Sequence, residues 1–121
     1  MNIRRLILGL LTLVNAVALA TSHAETGRTY VLVHGSWMGK YVWTATSLAL
    51  TRAGNTVITL DLPAHGGDRT PIEAVTLETY TKAVIAAIGD RRDVILVGHS
   101  FGGIVISAVA EAIPGGDNLT C

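Results

Sequence analysis

Cysteine is nearly missing from this sequence of 121 residues: the one thiol is the last residue, Cys121. No internal disulfide can form, and no cysteine-rich metal site exists. Net charge is missing as well. Nine basic side chains balance nine acidic ones, and no basic block could neutralise a row of phosphates, which argues against a nucleic-acid partner. Proline occurs three times, half the residues are hydrophobic and 15% are charged, which excludes a disordered tail and a coiled coil. The length sets one domain as the ceiling, and its stability has to come from a hydrophobic core.

Part of the hydrophobicity is not core. Arg4 and Arg5 precede an uncharged apolar stretch from Leu6 to Ala20, and small residues at Ser22 and Ala24 precede Glu25. That is the layout of a secretory signal peptide over residues 1–24, leaving a domain over 25–121. The stretch is 15 residues long, broken by Gly9, Thr12 and Asn15, whereas a spanning helix needs about 20 apolar residues. The expectation is a secreted or periplasmic protein with no stable membrane insertion after cleavage. Loss of the leader removes two positive charges and no negative ones, so the remainder carries net minus two.

The remaining chain alternates in period. Tyr30 to Val33 is a short apolar run suited to a strand buried on both faces. Val42 to Ala53 has helical spacing through Val42, Ala45, Leu48 and Ala49, and stops at Gly54. Thr56 to Leu60 is a β-branched strand running into Asp61-Leu62-Pro63-Ala64-His65-Gly66-Gly67, a loop by its proline and glycines. Thr76 caps a helix with Thr79 one turn on, Leu77, Tyr80, Val84, Ile85 and Ile88 form its apolar face, and Gly89 ends it. Val94 to Val97 is a third buried strand, Gly98 to Gly103 a tight turn, and Ile104 to Ile113 a helix stopped by Pro114. Three strands alternating with three helices predict an α/β fold, a parallel sheet with helices on both faces. Ligands bind such sheets at the carboxyl ends of the strands, where all three loops are glycine-rich.

Gly98-His99-Ser100-Phe101-Gly102 is a G-x-S-x-G between a strand and a helix, the setting of a nucleophile elbow. The sharp turn projects the Ser100 hydroxyl, and the helix N-terminus behind it favours a developing anion. Gly98, His99 and Gly102 complete the elbow. The plainer reading is a glycine-rich turn with Ser100 as a helix cap. His34-Gly35-Ser36-Trp37 follows the first strand, where a second oxyanion donor sits, so the N–H groups of Ser36 and Phe101 form the expected pair. His34, Gly35 and Trp37 are expected around a substrate pocket, with a structural histidine bracing its loop as the plainer reading of His34, and similarly of His65 and His99. Trp43 is expected in the core. A nucleotide site fits poorly: Gly35 to Tyr41 has one residue too few between its glycines for a P-loop and Tyr where Ser or Thr is needed.

The runs VLVHGSW, W-x6-L-x3-G-x2-V-x3-DLPAHG from Trp43 to Gly66, and VILVGHSFGG resemble the α/β-hydrolase superfamily, in the branch of plant methylesterases, hydroxynitrile lyases and bacterial esterases. The match covers about residues 29–113. The lyases place Thr at position 35 and an acidic residue at position 99, so the esterase side is favoured. The resemblance implies a small ester substrate, attack by Ser100, an acyl-enzyme, and no cofactor or metal. It also implies a triad in the order serine, acid, histidine, yet after Ser100 the sequence has only Glu111 and Asp117 and no histidine. The expectation is a truncated fold lacking the triad's acid and base and nearly inactive, or a noncatalytic small-molecule-binding remnant. Its third strand would offer an unpaired apolar edge for self-association.

Overall fold

The computed structural model describes residues 27–113 and 119–121; the expected signal peptide lies outside them. Four strands, β1 (Thr29–Val33), β2 (Thr56–Thr59), β3 (Val94–Gly98) and β4 (Leu119–Thr120), form one sheet in the order β2-β1-β3-β4. Every pairing is parallel. Three helices alternate with them: α1 (Thr44–Arg52), α2 (Leu77–Ile88) and α3 (Phe101–Ala112). Right-handed crossovers in opposite directions put α1 on one face and α2 with α3 on the other.

The core lies under α2 and α3. Val31, Val33, Val94 and Leu96 of the sheet pack with Tyr80, Val84 and Ile88 of α2 and Val105, Ile106 and Val109 of α3. Leu32 is equally buried but stands outside this cluster, as alternation along a strand requires. Thr76 caps α2 through a capping box with Thr79, as the sequence suggests.

Four expectations need correction. Helix α3 begins at Phe101, not Ile104; Gly102 and Gly103 belong to its first turn, because Gly102 bonds back to the His99 carbonyl and Gly103 to that of Ser100. On α1, Val42, Ala45, Leu48 and Ala49 are exposed, and the half-buried line is Trp43, Ser47 and Leu50. Trp43 closes a 3-10 turn, Lys40–Trp43, rather than sitting in the core. Finally, the described residues form four strands, not three. The edge of β3 is covered at Val94 and Ile95, which pair with Leu119 and Thr120, and Leu119 packs against the core. An apolar side chain next to an apolar edge stabilises even a two-residue strand.

Candidate active site

Three loops leave the carboxyl ends of β1, β2 and β3 and lock together. The His99 N–H donates to the Val33 carbonyl over 3.0 Å, tying the third loop to the first. His34 ties the first to the second: its Nδ1–H donates to the Gly35 carbonyl at 2.8 Å, and its Nε2 accepts the Leu62 N–H at 3.0 Å. Both ring nitrogens are thus engaged in the neutral form. Burial pushes the His34 pKa down, His65 adds to this, and the Gly35 carbonyl and Asp61 oppose it. The Asp61 carboxylate ties the loops again, accepting the Lys40 N–H at 2.7 Å on Oδ1 and the Gly67 N–H at 3.1 Å on Oδ2. Burial works to raise its pKa, but these two N–H groups and the charges of Lys40 and His34 outweigh it, leaving the carboxyl below its ordinary value.

Ser100 stands between β3 and α3 with φ 53° and ψ −120°, a left-handed backbone that a serine adopts only where its surroundings hold it. Its side chain makes no capping hydrogen bond and the residue is exposed, so Ser100 holds the N-cap position of α3 without capping it through its hydroxyl. Space explains the flanking glycines. A Cβ on Gly98 would lie 2.5 Å from the Gly102 carbonyl carbon, and one on Gly102 2.4 Å from the Val33 oxygen. The first loop also approaches: a Cβ on Gly35 would stand 3.2 Å from that of Ser100. The N–H groups of Ser36 and Phe101 have no acceptor among the described loop, cap and side-chain hydrogen bonds, whereas those of His99, Gly102 and Gly103 do.

Beside this corner lies a cleft of about 500 Å³ lined by Ser36, Trp37, Met38, Tyr41, His65 and Tyr80, with Ala64, Gly66 and Ile72. Of the three residues expected around the pocket, only Trp37 lines it. Its φ is +62° and its side chain is 95% exposed. His34 and Gly35 are buried behind the wall, His34 to 0% exposure, because their backbone and ring bonds serve the loop junction. His99 is exposed and lines a separate 250 Å³ hollow with Met38, Val42 and Trp43. A chain of rings runs from the junction into the cleft wall: His34 to His65 at 5.3 Å, His65 to Tyr80 at 5.8 Å, and Tyr80 to Phe101 at 5.3 Å. Sequence reasoning missed Asp61 and Tyr80. An acid at the end of β2 facing two glycine-rich loops was a usable signal for the first; Tyr80 was hidden among the apolar positions of α2. Among the described residues no cluster of His, Cys, Asp and Glu could hold a metal ion, and no helix is long and apolar enough to cross a membrane.

Comparison with known proteins identifies the family and agrees with the fold. The sequence profile of the alpha/beta hydrolase family matches residues 30–120. A carbendazim hydrolyzing esterase from Nocardioides sp. is 46% identical over 90 residues, 69% of this chain and 36% of its own length. The alpha-hydroxynitrile lyase of Arabidopsis thaliana is 39% identical over 89 residues, 70% of this chain and 34% of its own. Among solved structures, an extracellular alpha/beta-hydrolase from a Paenibacillus species superposes with a TM-score of 0.67 at 41% identity, covering 76% of this chain and 37% of that one. The chain spans about a third of the length of the relatives it matches.

Proposed function

Since the chain belongs to the alpha/beta hydrolase family, we propose that it carries the nucleophile and oxyanion parts of a serine carboxylester hydrolase. The Ser100 hydroxyl attacks the ester carbonyl, the N–H groups of Ser36 and Phe101 hold the resulting oxyanion, and the alcohol departs to leave an acyl-serine. The observation that carries this reading is the strained, exposed Ser100, whose side chain makes no capping bond, beside two N–H groups without an acceptor among the described residues.

The base that takes the serine proton is not His34, whose nitrogens are both engaged. No histidine follows Ser100 in the sequence. In family order the base comes after the acid, downstream of the nucleophile, hence in the part of the relatives' length that this chain does not span. The 121 residues alone are therefore expected to turn over esters on the order of 10⁶-fold more slowly than a complete enzyme. Export as a secreted or periplasmic protein is supported by the basic, apolar, small-residue order of residues 1–24 and by the extracellular relative.

A chimera tests the reading. Residues 29–113 replace the matching segment of the Nocardioides esterase, and ester hydrolysis is assayed with and without Ser100→Ala. Hydrolysis abolished by Ser100→Ala supports the proposal; a folded chimera that does not hydrolyse esters, or whose activity survives Ser100→Ala, contradicts it.

A further inference from the structure

The cleft holds a donor and an acceptor that no hydrogen bond among the described residues uses. Tyr80 is only 8% exposed and lines the cleft, yet its hydroxyl makes no hydrogen bond among those of the described residues, which its neighbours on α2, Thr76, Thr79 and Thr81, all do. Its ring is buried, but the hydroxyl is not among the buried unpartnered atoms of the described residues, so it opens into the cleft where a ligand can accept from it. Burial pushes the Tyr80 pKa up, which keeps the group a neutral donor. Next to it, His65 gives its Nδ1–H to the Pro63 carbonyl at 2.9 Å, and this bond fixes Nε2 as the ring's acceptor. The two rings meet edge to face with centroids 5.8 Å apart. The rest of the lining is flat or apolar: Trp37, Met38, Tyr41 and Ile72.

We propose that Tyr80 and His65 form a hydrogen-bonding subsite for a flat aromatic group that bears a carbonyl beside an N–H, the carbonyl accepting from Tyr80 and the N–H donating to His65. The cleft volume suits one or two fused rings. The subsite is joined to the proposed reaction centre on two sides: Ser36 lines it, and Phe101, next to Ser100, meets the Tyr80 ring edge to face. As a substrate subsite it rests on the hydrolase reading, and it then selects aryl amides or related groups in the unreactive part of the ester.

The test titrates the 121-residue chain with benzamide and with isopropenylbenzene, which has the same shape and no polar groups, and follows backbone amide resonances. Benzamide is expected to bind at least tenfold more tightly, with the largest shifts at residues 64–66 and 80. Tyr80→Phe removes one hydroxyl without changing the packing and is expected to weaken benzamide about tenfold while leaving isopropenylbenzene unchanged. His65→Gln, which keeps an acceptor, is expected to retain part of the preference that His65→Leu loses. Equal binding of the two probes, or equal loss of both in Tyr80→Phe, overturns the subsite. Ester hydrolysis by the chimera reads the hydrolase proposal separately: activity without probe discrimination defeats only the subsite, and discrimination without activity defeats only the catalytic reading.

Discussion

At the scale of a residue, the proposed role of Ser100 and the stability of the chain pull in opposite directions. A serine at φ 53° stores on the order of 1 kcal/mol of backbone strain. Ser100→Gly is therefore expected to stabilise the chain by about 1 kcal/mol, raising its melting temperature by about 4 °C, while abolishing acylation; a lower melting temperature would show that the backbone is not strained. The flanking glycines behave oppositely. Gly102→Ala places a methyl 2.4 Å from the Val33 carbonyl and is expected to cost about 2–3 kcal/mol in denaturant unfolding. The histidine pair was legible only in outline. The sequence places His34 at the end of β1, but its burial depends on the Leu62 N–H, a contact across 28 positions that no local pattern reveals.

At the scale of elements, the loop junction sets the pH response. His34 has its pKa lowered from 6.5, chiefly by burial. Folded protein thus resists protonation that the unfolded chain accepts, and stability is lost as pH falls below about 6.5. Asp61, also lowered, has the same sign further down: its contribution is present above its ordinary value of 3.8 and is lost as pH falls through the folded value. Melting temperature measured from pH 8 to pH 4 is expected to decline once below 6.5, and His34→Asn is expected to flatten that upper part of the decline. Asp61→Asn should leave it in place while lowering stability by about 1 kcal/mol at neutral pH through loss of one of two charge-assisted bonds. Strands and helix caps were readable because they follow local rules, as Thr76 with Thr79 shows. The start of α3 was not, since its first turn is made of glycines, whose low helix propensity is overridden by backbone packing of Gly102 on β1.

At the scale of the whole molecule, the fold matches that of a solved family member, and the relatives are about twice as long as this chain. The order of strands and helices was fully legible, because alternating periods and right-handed crossovers leave few arrangements. The fourth strand was not, since two residues carry no periodicity; its place is set by the β3 edge that Leu119 and Thr120 pair with. Leu119→Asp is expected to uncover that edge and raise light scattering at a fixed protein concentration, whereas unchanged scattering would show that β4 does not protect it.

The most direct measurement is a structure of the chimera after reaction with an alkyl fluorophosphonate. A phosphonyl group on the Ser100 oxygen, with its free oxygen about 3 Å from the N–H groups of both Ser36 and Phe101, is the predicted result. An unmodified Ser100, or an adduct whose oxygen points away from those two amides, would contradict the account.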